Sequence, residues 1–154
     1  MSQQVMQQFY ESFQQHNASE MVSLYHPEVT FSDPVFRNLN QKEVQGMWKM
    51  LIERSRGNLT IDYHSLIGDE RLAQCIWEAK YPFSKTGRPV HNVIHATMEF
   101  KDGLIIKHTD DFNFWRWSMM ALGTSGSLLG WTPLIKSKVQ KMAIASLNKY
   151  LEQH

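Results

Sequence analysis

The chain has 154 residues, of which 42% are hydrophobic and 12% aromatic, and its formal net charge is +1. This length and composition predict one folded domain with a sizeable core and exclude a disordered chain. A charge near zero gives no overall attraction to nucleic acid, so no nucleic-acid partner is expected. The single cysteine, Cys75, excludes an internal disulfide. Because no signal-peptide pattern is recognisable at the start, the expected location is the cytoplasm.

The first third of the chain predicts three helices and one short strand. Apolar residues recur at helical spacing over residues 5–13. Two Asn-x-x-Glu sequences, beginning at Asn17 and Asn40, are typical of helix starts and predict a second helix ending near residue 25 and a third ending near residue 55. Between these two helices, residues 29–35 alternate as a strand does.

The middle of the chain predicts four further strands. Alternating apolar and polar residues cover about 59–67, 71–83, 89–101 and 103–114, and a turn signal separates each pair. The last turn, Asp102-Gly103, is typical of a β-hairpin. Three helices followed by this run of strands predict an α+β domain in which the helices pack on one face of an antiparallel sheet.

The last predicted strand contains two polar residues in the row that should face the core. His108 and Asp110 are two positions apart, so a period of two places both on the apolar face. A buried carboxylate needs a partner, and the two side chains can partner each other. They are therefore either a self-satisfied polar pair or part of a functional site. The predicted row is Leu104, Ile106, His108, Asp110, Phe112 and Phe114.

A second apolar row is interrupted in the same way by Asp33. Its other members are Val29, Phe31 and Val35, and Pro34 follows Asp33 directly, so the strand is expected to end or bulge there. Ordinary turn chemistry is the alternative, since Asp-Pro often starts turns. Two short rows that each contain a carboxylate near one end predict the lining of one cavity.

Large side chains on the predicted inner faces are candidates for the wall of that cavity. An aromatic pocket with a few polar groups suits a hydrophobic small molecule, although the same side chains could simply fill the core. No histidine pair has the helical spacing of a metal site, so neither a metal nor another cofactor is expected. The candidate wall residues are Phe9, Phe13, Trp48, Trp77, Tyr81, Met98, Phe112 and Phe114.

These elements and motifs resemble the nuclear-transport-factor-2-like superfamily over roughly residues 3–114. The segment Ser32-Asp33-Pro34-Val35 resembles the Asp-Pro-Val segment of ketosteroid isomerases, in which the Asp moves a proton. The stretch from Asp102 to Phe112 resembles the last strand of SnoaL-like polyketide cyclases and limonene epoxide hydrolases, and in the hydrolases the Asp that matches Asp110 activates water. The resemblance implies a cone-shaped, curved antiparallel sheet with three N-terminal helices.

The catalytic sets of these relatives are incomplete in this chain. The oxyanion Tyr of the steroid isomerases falls on Phe9 and their protonated Asp falls on Ala96, and neither residue can donate a hydrogen bond to an enolate. The Arg and the second Asp of the hydrolases fall near Trp77 and Ala79.

The leading prediction is a cofactor-independent isomerase or cyclase. It would act on a hydrophobic carbonyl-type ligand by proton transfer α to the carbonyl group, with Asp33 or Asp110 as the base and His108 orienting or polarising. A non-catalytic protein that binds a hydrophobic ligand, and an epoxide hydrolase-like activity using Asp110, are the alternatives.

The sequence divides into a SnoaL-like cone domain, residues 1–114, and a C-terminal aromatic and helical extension, residues 115–154. Thr132 followed by Pro133 predicts the start of a last helix. We expect the extension to pack on the same domain or on a dimer partner, covering Phe114, Trp115, Trp117 and Trp131. This is favoured over contact with an anionic membrane. A homodimer is expected through the convex face of the sheet.

Overall fold

The computed structural model describes residues 1–154, which form one curled five-stranded sheet with helices packed against it. The α+β class predicted from the sequence is confirmed. The helices are α1 (Ser2–Gln14), α2 (Ala18–Ser23), α3 (Gln41–Ser55), α4 (Phe114–Leu122), α5 (Thr124–Leu129) and α6 (Pro133–Gln153), and the strands are β1 (Tyr25–Ser32), β2 (Thr60–Gly68), β3 (Leu72–Pro82), β4 (Pro89–Lys101) and β5 (Leu104–Asp111).

The five strands lie in the order β1-β5-β4-β3-β2. The four strands β2 to β5 form the expected antiparallel meander. The first strand, β1, instead runs parallel to β5, with Phe31 opposite His108. The sheet is therefore mixed, and its first and last strands lie side by side although they are far apart in the chain.

The two helices predicted from Asn-x-x-Glu sequences begin where the sequence predicts. Asn17 accepts a hydrogen bond from the backbone N–H of Glu20. At α3 the side chain of Asn40 accepts from the N–H of Glu43, and the Glu43 carboxylate accepts from the N–H of Asn40 in return. These reciprocal bonds fix the start of α3, which contributes Trp48 to the core.

The strand β5 differs from the predicted alternation at both of its ends. A bulge opposite Glu99 and Phe100 leaves Ile106 without a cross-strand partner, so Ile105 points into the core and the predicted inward position of Ile106 is wrong. The strand also ends at Asp111, because Asn113 caps α4 by accepting a hydrogen bond from the N–H of Arg116. Phe114 therefore lies in a helix and does not continue the strand row.

The C-terminal extension packs on the domain along both α4 and α6. In α4, Phe114 and Trp117 form a small apolar cluster with Val90 of β4. Along α6, Leu147 is fully buried, and the hydroxyl of Tyr150 donates a 2.8 Å hydrogen bond to a carboxylate oxygen of Glu53 in α3.

The cone does not cover all of the tail aromatics. Phe114 and Trp117 are buried as predicted, whereas Trp115 is 44% exposed and Trp131 is 69% exposed. The cone leaves these two tryptophans uncovered, because α5 folds back on α4 and turns its connection to α6 outward. Their burial by a dimer partner stays a prediction. None of the helices is both long and apolar enough to cross a membrane.

Candidate active site

A chain of hydrogen bonds runs through the core and ends at Asp110. The indole N–H of Trp48 donates to the hydroxyl oxygen of Tyr25 at 2.9 Å. This hydroxyl is 2.8 Å from Nδ1 of His108, and Nε2 of His108 is 2.9 Å from Oδ1 of Asp110. The indole N–H of Trp77 also donates to this Oδ1, at 3.4 Å.

The neighbours of His108 assign one tautomer to its ring. Burial raises the pKa of Tyr25 well above its ordinary value, so its hydroxyl stays protonated and can donate to Nδ1. The other ring nitrogen, Nε2, then carries the proton, and its N–H donates a hydrogen bond to Oδ1 of Asp110. Every polar atom from the Trp48 indole to Oδ1 of Asp110 is thereby hydrogen-bonded, which is the condition for a stable buried network.

Aromatic rings hold the imidazole of His108 in place. The rings of Phe9 and Phe31 meet it edge to face, with centroids 5.5 and 4.9 Å away, and the ring of Trp48 is stacked at 6.2 Å. The side chain of His108 is fully buried. His108 can therefore orient the carboxylate of Asp110, but it cannot touch a ligand without a rearrangement of the core.

The carboxylate of Asp110 lines a cavity of about 260 Å³ whose wall consists mostly of apolar side chains. While Oδ1 accepts two hydrogen bonds, Oδ2 has no hydrogen-bond partner in the protein. The amide of Asn92, on the neighbouring strand β4, also lines the cavity and is without a protein partner. The cavity thus contains a free carboxylate oxygen and a free amide within an apolar wall.

Asp33 lies on the wall of the same cavity, one residue after the end of β1. Its Oδ1 accepts hydrogen bonds from the backbone N–H groups of Val35 and Phe36, at 2.7 and 2.6 Å. This is the turn chemistry that Asp-Pro predicts. Burial, reinforced by the negative charge of Asp110, raises the pKa of Asp33 to about 7, although the two backbone hydrogen bonds oppose this shift.

The site residues predicted from the sequence lie in three regions: the cavity wall, the core next to it, and the apolar cluster at α4. Asp33 and Asp110 line the cavity, and His108 lies behind Asp110 in the core. The predicted wall residues that line the cavity are Trp48, Trp77, Tyr81 and Phe112. The others pack elsewhere: Phe9, Phe13 and Met98 are fully buried in the main core, and Phe114 packs on Trp117.

Sequence reasoning did not identify Tyr25, Asn92 or Arg54 as parts of this site. Tyr25 is the first residue of β1 and precedes the alternating residues from which this strand was predicted. Asn92 shares the inward row of β4 with Val90 and Ile94, and a polar residue in an apolar row is the same signal that identified Asp110. The exposed Arg54, with Ser84, lines the outer part of the cavity and has no carboxylate partner.

Solved structures with the same fold include proteins of several chemistries. IdmH from Streptomyces antibioticus, described as a candidate polyketide cyclase, aligns with a TM-score of 0.62 and 15% identity over 74% of this chain and 93% of IdmH. A protein from M. tuberculosis described as an LEH-like epoxide hydrolase gives a TM-score of 0.59 and 14% identity over 77% of this chain and 87% of that protein. A candidate ketosteroid isomerase from Kribbella flavida gives 0.57 and 14% over 72% and 76%. At these identities the similarity shows the fold alone.

The family follows from the sequence itself. No curated protein sequence matches the chain. The family model described as "SnoaL-like domain" matches residues 6–108, which span most of α1, all of α2, β1, α3 and β2 to β4, and β5 as far as His108. The resemblance to nuclear-transport-factor-2-like proteins is thereby confirmed, and the chain belongs to the SnoaL-like domain family.

Proposed function

We propose that the protein is an acid–base enzyme that moves a proton at the carbon next to the carbonyl group of a hydrophobic ligand, as an isomerase or a cyclase does. The observation that supports this most strongly is the pair of carboxylates on one apolar cavity wall, one of which has a pKa of about 7. A general base works best when its pKa lies near the working pH, because it can then both take and return a proton.

In this proposal Asp33 is the base. Its carboxylate removes the α-proton and leaves an enolate, and the protonated Asp33 returns the proton to another carbon in an isomerisation. In a cyclisation, the enolate carbon attacks a second carbonyl group of the same ligand, and Asp33 protonates the new alkoxide. Asn92 is the candidate donor to the enolate oxygen, since its amide lines the cavity without a protein partner.

Asp110 and His108 tune this base. The charge of Asp110 raises the pKa of Asp33, and the hydrogen bonds to Oδ1 keep the Asp110 carboxylate in one orientation. His108 is a positioning residue, because the core separates it from the cavity. The epoxide hydrolase-like alternative would use Asp110 itself as the base, through its free Oδ2.

Exchange of α-protons for deuterium tests the proposal without knowledge of the natural product. A panel of hydrophobic ketones is incubated with the protein in D₂O and followed by NMR. We expect Asp33→Asn to lower the exchange rate by about 100-fold or more, because Asn cannot take a proton. With Asp110→Asn, exchange should persist, and the rise of the rate with pH should move to lower pH as the pKa of Asp33 falls.

The exposed Asp111→Asn is the matched control and should leave the rate unchanged. Exchange lost in Asp110→Asn and kept in Asp33→Asn would transfer the role of base to Asp110. Tight ketone binding with no exchange at any pH would favour a non-catalytic binding protein.

A homodimer through the outer face of the sheet is part of the same proposal. The outward side chains His91, Val93 and His95 of β4 are exposed, since the helices pack on the opposite face. A second copy would bury Val93, and Val93→Arg should then yield a monomer in sedimentation velocity at unchanged secondary structure. A wild-type protein that is monomeric at all concentrations would contradict this part.

A further inference from the structure

Four large apolar side chains are exposed close together where α5 passes into α6. Leu128, Leu129, Trp131 and Leu134 are 66%, 49%, 69% and 76% exposed, and all lie within seven consecutive residues. Single exposed apolar residues are common, but a contiguous group of this size usually marks an interaction surface. We call these four residues the apolar tip.

The fold holds the apolar tip outward. Gly126 and Gly130 lie so close to Ser118 of α4 that a β-carbon at either position would collide with it. This contact fixes α5 against α4 and leaves Leu128 and Leu129 on the far side. The indole N–H of Trp131 donates to the carbonyl oxygen of Leu128 at 3.0 Å, so the one polar group of this side chain has a partner while the residue is 69% exposed.

The chain around the apolar tip is entirely free of negative charge. Residues 112–151 contain no Asp or Glu, although the whole protein is close to neutral. The outer face of α6 continues the tip: Leu134, Lys138, Lys141 and Met142 are all exposed and follow each other at helical spacing. The basic residues of this segment are Arg116, Lys136, Lys138, Lys141 and Lys149.

We propose that the apolar tip and the adjacent lysines of α6 form a docking surface for anionic lipid bilayers. Leucine and tryptophan side chains can enter the boundary between headgroups and acyl chains, and lysines next to them attract the negative headgroups. A second copy of this chain is a poorer occupant, because it would bring the same positive charge to the contact.

The docking surface and the cavity share one helix. In α4, Trp117 lines the cavity, whereas Trp115 lies exposed on the side of the tip, where its indole N–H donates to the carbonyl oxygen of Ser127 in α5. A protein held at the bilayer through this tip would have its ligand cavity near the phase in which hydrophobic ligands concentrate. The docking itself does not depend on the chemistry proposed for the cavity.

Co-sedimentation with vesicles tests this proposal. The full chain is mixed at low salt with vesicles of phosphatidylcholine alone, or of phosphatidylcholine with about one third phosphatidylglycerol. We expect binding to the anionic vesicles only, weakened by added salt. Two double variants, Trp131→Ser/Leu134→Ser and Lys138→Gln/Lys141→Gln, should each lower the partition coefficient by about 10-fold or more. All four positions are exposed, so thermal unfolding should stay unchanged.

The matched control is Ile67→Ser, since Ile67 is an apolar residue of β2 that is 62% exposed. It should bind vesicles as the wild type does. The proposal is overturned if the protein ignores anionic vesicles, binds neutral ones equally well, or binds unchanged in both double variants. Loss of self-association in the tip variants without lipid would identify a protein–protein surface instead and would also overturn it.

Discussion

Replacement of Asp33 by Asn should make the protein more stable at neutral pH and leave its stability at acid pH nearly unchanged. The pKa of Asp33 is about 7 in the folded protein, against an ordinary value of 3.8 that applies to the unfolded chain. At pH values between these two pKa values, Asp33 keeps its proton in the folded state and has lost it in the unfolded state. The free energy of unfolding therefore falls as the pH rises from about 4 to about 7, and it levels off above about pH 7.

The magnitude follows from the difference between the two pKa values. They differ by about 3, and each pH unit in this window is worth about 1.4 kcal/mol, so the wild type loses up to about 4 kcal/mol of unfolding free energy. This is a large share of the stability of an ordinary domain. In Asp33→Asn nothing ionises, and the amide oxygen can still accept the hydrogen bonds from Val35 and Phe36.

Urea unfolding at several pH values, followed by tryptophan fluorescence, measures this effect. The variant and the wild type should have similar unfolding free energies near pH 4. Near pH 8 the unfolding free energy of the variant should exceed that of the wild type by up to about 4 kcal/mol. Asp111→Asn removes the same charge from an exposed position and should follow the wild-type curve. Parallel curves for Asp33→Asn and the wild type would refute the reasoning, because they would mean that burial does not raise the pKa of Asp33.

Three further substitutions or modifications test other parts of the structure. Tyr25→Phe removes the hydroxyl that links the Trp48 indole to Nδ1 of His108, and the two buried groups left without a partner should lower the unfolding free energy by about 2–4 kcal/mol in urea titrations. Burial raises the pKa of Cys75 to about 12, so its thiol should react with Ellman's reagent about 1,000-fold more slowly in the folded protein than in urea. Gly46→Val should loosen the contact between α3 and α6 and cost about 1–3 kcal/mol in thermal unfolding, because a β-carbon there would collide with a leucine of α6.

The two substitutions have controls within the chain. Tyr63→Phe also removes a tyrosine hydrogen bond, a 3.4 Å contact with the exposed Glu11, and should cost less than 1 kcal/mol. Equal losses for the two tyrosine variants would contradict the buried network. Gly57→Ala tests whether any glycine substitution has the effect of Gly46→Val. Gly57 has a positive φ, and a β-carbon there would meet no atom within 4 Å, so this substitution should strain the backbone without loosening α6.

The sequence predicted the fold and the unusual residues of β5 because both leave a periodic signal. His108 and Asp110 interrupt an apolar row, and the capping sequences at Asn17 and Asn40 mark helix starts. The bulge in β5 leaves no such signal. Since Ile105 and Ile106 are identical, their order cannot tell which of them points into the core, and only the cross-strand register decides it.

The division between core and cavity wall could not be predicted either. Phe13 and Trp48 are both large apolar residues on inward helix faces, yet only Trp48 reaches the cavity. Which side chains line the cavity depends on the curvature of the sheet and on the position of the helices packed against it. The pattern of apolar residues along the sequence specifies neither. The exposure of Trp131 was missed for a related reason, since aromatic composition predicts burial only on average.

The parallel pairing of β1 with β5 has a consequence for the order in which the protein folds. The only strand neighbour of β1 is the last strand of the sheet, and Phe31 precedes its partner His108 by 77 positions in the chain. The meander β2 to β5 can form from local hairpins, whereas β1 must wait until β5 exists, and closing so long a loop is slow. Asp33 follows β1 and Asp110 belongs to β5, so the two carboxylates come together only in this late step. During synthesis the helices at the front of the chain therefore emerge well before the strand that completes the cavity, and the pocket is among the last features to form.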